Sequence, residues 1–101
     1  MQINKLRKCI RTNKYEISLH AQKERCEEEI SIQEIEQVIL EGEIIEDYPD
    51  DLRGPSCLVL GYSGNKPIHI VGSILSNGWL RIITVYIPKM PKWINPRQRR
   101  K

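Results

Sequence analysis

The sequence contains no phenylalanine, and with two tryptophans and four tyrosines its aromatic content is 6%. A core therefore has to be built from Ile, Leu and Val rather than from rings. Cysteine is scarce as well: Cys9, Cys26 and Cys57 are odd in number, widely spaced and form no C-x-x-C pair. Neither a disulfide framework nor a cysteine zinc site is suggested, which leaves reduced, partly buried thiols. No apolar run approaches the roughly 20 residues of a membrane span, and Met1–Arg7 lacks the apolar centre of a signal peptide. The expectation is a cytoplasmic protein with no membrane partner and no cofactor.

What is present is a chain of 101 residues, one domain by length, with 40% apolar residues and a net charge of +3. The charge is unevenly spread. Residues 1–14 carry five bases and no acid, residues 89–101 carry six bases and no acid, and the middle is acidic by eight charges. Basic ends on an acidic body point to a polyanion or an acidic partner. The alternative is that they solubilise the chain or fold back on the acidic body.

Ile3, Leu6 and Ile10 stand at i, i+3 and i+7 with bases between them, which predicts an amphipathic helix over 3–12. Tyr15-Glu16-Ile17 reads as an extended link. Ser18 can cap a second, highly charged helix over 19–28. Ser31-Ile32-Gln33-Glu34 is a capping box before the stripe Ile32, Ile35, Val38 and Ile39, and Gly42 stands where that helix ends. The period then changes. Strands are predicted over 43–48, 57–62, 68–75 and 79–87, with Asn77-Gly78 as a hairpin turn and Pro49, Gly64 and Pro88 as breaks. The proline-containing end is predicted to be irregular or mobile. The expected architecture is α+β: two to three N-terminal helices packed on one face of a four-stranded antiparallel sheet, over residues 1–94, with a basic tail at 95–101.

A two-residue Asn77-Gly78 turn would pair Ile68 with Ile87, Ile70 with Val85, Gly72 with Ile83 and Ile74 with Arg81 on one face, and Ser73 with Ile82 on the other. The aliphatic face so formed would pack on the helices and carry Arg81 toward them. The same register sets His69 against Tyr86 and Val71 against Thr84. His69, Thr84, Tyr86 and Ser73 would then gather on the second face. An imidazole beside a phenol can supply the acid and base that metal-free phosphodiester cleavage needs. Alternatively Thr and Tyr are there because both favour strands.

His20 falls in the first turn of the second helix, where the positive helix end favours the neutral imidazole of a general base. Glu24 shares its face at i+4, whereas Arg25 lies about 140° around the helix, so His20 and Arg25 cannot both aim at one ligand. A first-turn His bonded to Glu24 is the plainer reading.

The blocks Ile17-Ser18-Leu19-His20-Ala21, Ile30-Ser31, Gly42–Pro49, Gly54–Leu58, Pro67–Ile70 and Arg81–Tyr86 occur in an order that resembles the family called domain of unknown function 4258. The likeness covers about residues 15–94, through Lys92-Trp93. It is similar in pattern to the RelE, ParE and BrnT type of small toxin, whose wider fold includes barnase-like and colicin-type ribonucleases. The resemblance implies an open sheet surface on which His20, His69, Arg81, Thr84 and Tyr86 would be the catalytic positions. Glu24-Arg25 and Glu28-Glu29 depart from a pattern in which arginines are common at these places, and acids there would repel a phosphate.

The function expected on this basis is a toxin-like, metal-independent endoribonuclease with RNA as substrate and an antitoxin protein as partner. Arg25, Lys89, Lys92, Arg97, Arg99 and Arg100 would hold the phosphates. A non-catalytic RNA- or protein-binding module and a toxin acting on a protein are the alternatives.

Overall fold

The computed structural model describes residues 1–52 and 54–100. Arg53 of the expected loop and Lys101 of the basic end lie outside the described residues. In chain order the elements are α1 (Ile3–Arg11), β1 (Tyr15–Ile17), α2 (Leu19–Glu27), α3 (Ile32–Glu41), β2 (Glu43–Tyr48), β3 (Ser56–Ser63), β4 (Lys66–Ile74), β5 (Leu80–Tyr86), β6 (Trp93–Asn95) and β7 (Gln98–Arg99).

The helices form where the pattern places them. In α1, Leu6, Cys9 and Ile10 are buried, while Lys8 and Arg11 stand in the last turn, where the helix dipole favours cations. Both halves of the α3 capping box are made. The Ser31 hydroxyl accepts from the Glu34 amide at 3.0 Å, and the Glu34 carboxylate accepts from the Ser31 amide at 2.9 Å. That second bond, with help from Lys66, holds the Glu34 carboxyl down at about 2. At the other end of α3, Arg7 donates to the Gly42 and Ile39 carbonyls, so α1 closes the terminus that α3 leaves open. Gly61 lets α3 approach β3: a Cβ there would meet Val38 at 2.8 Å.

The sheet has five strands in the order β1-β5-β4-β3-β2, not four. β2 to β5 form the expected antiparallel meander, but β1 adds a parallel edge to β5, with Tyr15, Glu16 and Ile17 opposite Leu80, Arg81 and Ile82. Three residues are too few to show a period, so this strand reads in sequence as a link. One sheet face packs on α1, α3 and Ala21 of α2 through Cys57, Val59, Ile68, Ile70, Leu80, Ile82 and Val85. Of the thiols, Cys9 and Cys57 are buried and Cys26 is exposed.

The β4–β5 hairpin departs from the expected register in two places. Its loop has three residues, Ser76-Asn77-Gly78: the Gly78 amide donates to Leu75 O and the Leu75 amide to Trp79 O. Gly78 takes φ +86°, the left-handed position that such a loop assigns to glycine. Near the turn, therefore, Ile74 pairs with Leu80, Ser73 with Arg81 and Gly72 with Ile82. A bulge then leaves Ile83 without a partner, and the pairs Val71–Thr84, Ile70–Val85 and His69–Tyr86 stand as expected. The two one-residue errors have opposite sign and cancel beyond the bulge. Between turn and bulge they do not. There Leu80 and Ile82 take the core positions, and Arg81 turns to the second face instead of toward the helices.

The proline-containing segment is not irregular where it is described. β6 and β7 pair as a small hairpin, which packs through Trp93 on the second face, over His69. Among the described residues no helix is long and apolar enough to cross a membrane.

Candidate functional site

A bulge frees a carbonyl from the ladder, and the one freed at Ile83 is taken by the side chain that starts α2. The Ser18 hydroxyl donates to Ile83 O at 2.9 Å and accepts from the Ala21 amide at 3.0 Å; its own amide donates to Ile82 O at 3.0 Å. One serine thus caps α2 and pins it against β5 exactly where β1 runs out. Nearly two turns on, Glu24 repeats the attachment. Its Oε1 accepts from the Thr84 hydroxyl and, at 3.0 Å, from the Val85 amide. His20 stands between these two anchors, with Nε2 3.2 Å from the same Glu24 oxygen and its side chain 69% exposed.

His20 divides a groove on the second sheet face. On one side lie Ser18, Ser73, Leu75, Arg81 and Ile83, around about 410 Å³. On the other lie Tyr48, Asp51, Val71, Ile83, Thr84 and Arg99, around about 500 Å³. Arg81 reaches Glu16 at 3.4 Å with both side chains more than two-fifths exposed, an ion pair of little strength. Glu46 fixes the far end. It receives Arg99 through Nε at 2.8 Å and Nη2 at 2.9 Å, together with the Tyr48 phenol. The Arg99 hydrogen bonds hold the Glu46 carboxyl below its usual range. Burial, then the bond to Glu46, raises the Tyr48 phenol, which stays protonated.

His69 is elsewhere. It lies below the β6–β7 hairpin with no exposed surface, Nε2 2.6 Å from Pro96 O and Nδ1 3.1 Å from the Tyr86 hydroxyl. A carbonyl can only accept, so Nε2 carries the proton and Nδ1 accepts from the phenol. Trp93 packs edge-on against the ring at 4.3 Å, and the Arg99 guanidinium lies 4.6 Å over the indole. Burial lowers the pKa of His69, and burial likewise raises Tyr86. The buried Trp93 indole N–H makes no hydrogen bond of ordinary geometry.

Of the sequence candidates, then, His20, Thr84 and Arg81 line the groove, while His69, bonded to a half-buried Tyr86, is sealed under the hairpin and closed to a substrate in this conformation. The exposed patch expected along the whole second face is cut short because the chain end covers half of it. Arg25 is also out of reach. It donates to Gln22 at 2.6 Å and to Ile30 O at 3.3 Å, where it ties α2 to α3. Of the expected phosphate-binding bases, Lys89 pairs with Glu28, Arg97 with Glu43 and Arg99 with Glu46, whereas Lys92 and Arg100 are exposed. The basic end has largely folded back onto the acidic body. Tyr48, Asp51 and Glu46 were not among the sequence candidates. The signal that could have found them is the acidic pair Glu46-Asp47 on a strand beside the face to which the basic end returns. Among the described residues no group of three or more His, Cys, Asp and Glu is placed to hold a metal ion.

The fold and groove define a small α+β protein with a histidine–carboxylate pair at a sheet bulge. The chain belongs to the family described as domain of unknown function (DUF4258), which its residues 17–87 match. That span runs from β1 through β5 and so contains His20, Glu24, Tyr48, Thr84 and the bulge, but neither α1 nor the β6–β7 hairpin. Comparisons with curated proteins and with solved structures give no match.

Proposed function

We propose that the chain is a metal-independent endoribonuclease of the toxin type, working in the groove beside α2, with His20 as general base. The observation that carries this reading is the open His20–Glu24 pair, its carboxylate anchored to β5. With Nε2–H directed at Glu24, Nδ1 keeps its lone pair outward, the orientation a carboxylate imposes on a catalytic imidazole. Nδ1 would take the proton of a ribose 2′-hydroxyl, whose oxygen attacks the adjacent phosphorus. The bond from phosphorus to the 5′-oxygen breaks, and Tyr48, protonated and across the groove, gives that oxygen its proton. The product is a 2′,3′-cyclic phosphate, and Arg81 offsets the charge that develops on the phosphorane. His69 and Tyr86 support the floor of this site and touch no substrate. The likeness to RelE, ParE and BrnT toxins belongs to the same proposal, as does an antitoxin protein that would cover the groove.

The test is incubation of the purified protein with mixed RNA, wild type beside His20→Ala, with product ends analysed. Cleavage leaving cyclic phosphates, and lowered at least about 100-fold by His20→Ala, is expected, the usual worth of a general base. RNA left intact by the wild type would overturn the catalytic reading.

A non-catalytic binding module is favoured by one observation, the full burial of His69 with both ring nitrogens satisfied. It predicts RNA affinity unchanged by His20→Ala and no cleavage at all.

A further inference from the structure

The basic start of the chain has a face that the groove does not use. α1 buries its apolar stripe in the core, so what it turns outward is Lys5 and Lys8, with Lys14 just beyond its end. These three bases line a concave space of about 410 Å³ together with Thr12 and the tip of the β4–β5 hairpin. The tip contributes Asn77, Gly78 and Trp79. None of the three lysines pairs with a carboxylate among the described residues, unlike Lys89, Arg97 and Arg99 at the other end. Trp79 is 38% exposed, whereas Trp93 is 2% exposed. Cys9 Sγ approaches Gly78 O at 3.4 Å and Lys14 O accepts from the Leu80 amide, so hairpin tip and helix end are held together.

We infer that this cleft is a second binding site, which takes a single-stranded RNA segment by stacking a base on Trp79 and neutralising flanking phosphates with Lys5, Lys8 and Lys14. A flat indole bordered by unpaired cations is what a base joined to phosphates requires, and it is largely indifferent to sequence. A membrane surface is the poorer occupant. Binding there needs an apolar helix face to bury, and Ile3, Leu6 and Ile10 of α1 already pack in the core. An acidic peptide would use the lysines but not the ring. The Asn77 side-chain amide and the Thr12 hydroxyl give a ribose 2′-hydroxyl polar partners, which deoxyribose lacks. Ile74 lines this cleft and its neighbour Leu75 lines the groove beside His20. The two sites therefore lie on opposite faces of the sheet, back to back near the hairpin tip. The identity of the polymer rests on the proposed function; the site does not.

The experiment follows the fluorescence anisotropy of a dye-labelled RNA, with tryptophan quenching read beside it, on the full chain in a His20→Ala background, so that cleavage cannot obscure binding and affinity is measured even where Trp79 is replaced. The probe is an eight-nucleotide single-stranded RNA, with DNA of the same sequence and polyglutamate of matched charge beside it. Saturable quenching by the RNA is expected, with binding weakened about tenfold or more in Trp79→Ala and partly restored in Trp79→Phe. Replacing Lys5, Lys8 and Lys14 together by Ala should lower the dependence of log affinity on log salt by about 2. Absence of quenching, or a Trp79→Ala protein that binds as the parent does, overturns the site. Polyglutamate competing as well as RNA overturns the stacking mode, and equal affinity for DNA overturns the assignment to RNA. If the RNA binds here while wild-type protein leaves it uncut, the groove reading falls and this site stands.

Discussion

The two faces of the sheet are built on different principles. Toward the helices, Val59, Ile68, Ile70, Leu80, Ile82 and Val85 form a dry aliphatic layer, joined by the Cys57 thiol, which burial pushes up to about 11, far from mild acid. On the other face Leu58 and Leu60 are buried too, but beside them lie polar and aromatic groups: His69 beneath Trp93, Tyr86 next to it, Arg99 over the indole, and Glu46 holding Arg99. The first face is held by area and packing. The second adds to such packing a chain of directional bonds to a hairpin of five described strand residues, β6 and β7, and the part that the hairpin leaves uncovered is the groove with His20. Stability and candidate chemistry are thus separated by the thickness of one sheet.

The largest effect belongs to the first face. Ile70→Ala should cost about 3 kcal/mol of global stability in urea unfolding, the middle of the range for a buried aliphatic truncation. Trp93→Ala removes a larger side chain, yet it should lower global stability by less, because the hairpin can detach while the sheet remains folded. Should the two variants lose the same amount in one cooperative transition, the hairpin belongs to the main core and the contrast between the faces is wrong. Arg99→Ala comes next, at about 1–2 kcal/mol. It deletes the fork to Glu46 and the cation on the indole, at a position open enough to be screened by solvent. Its mark should be faster amide exchange at Trp93 and Arg100, which donate to Lys89 O and Lys92 O, with β3 and β4 unchanged.

Much of the helix layer was legible in the sequence because it is local. The Ser31–Glu34 box, the α3 stripe and the Ser18 cap each lie within a few residues of what they bond. What escaped was non-local. β1 is recognisable only from its partner Leu80–Ile82, more than sixty residues on. The bulge at Ile83 is fixed by Ser18, so no alternation within β5 could reveal it. His69 was placed on the correct face opposite the correct phenol, but its cover arrives from Trp93 and Pro96 in a segment whose prolines argue against strands. Even so, two features of that segment were informative: a lone tryptophan, and bases opposite in sign to Glu43 and Glu46.

Protonation sharpens the contrast, since only the second face should respond to mild acid. His69 has its pKa lowered by burial below the ordinary 6.5. The detached hairpin would leave it at that ordinary value, so the open form binds the proton first as pH falls. Docking is therefore complete above about 6.5 and weakens as pH drops toward the lowered folded value. Glu46, held down by Arg99, adds a second loss only below its ordinary 4.5. Amide exchange at Trp93, corrected for its intrinsic pH dependence, should rise by several-fold between pH 7.5 and 5.5. His69→Gln should abolish that rise, and a rise that persists in it places the sensor elsewhere.

The smallest effect distinguishes a groove residue from a structural one. Arg81 was expected under the helices and is found instead at the groove, paired to Glu16 with both side chains exposed. Arg81→Ala should therefore change global stability by no more than about 0.5 kcal/mol, as an exposed ion pair does. A buried cation truncated beside the aliphatic layer would cost several times more, so thermal unfolding alone separates the two placements. In the same variant, RNA cleavage should fall while tryptophan quenching by RNA at Trp79 is preserved, because Arg81 lines the groove and not the α1 cleft. If cleavage is untouched, the phosphorane charge is met by another group, with Arg99 the next cation along the groove.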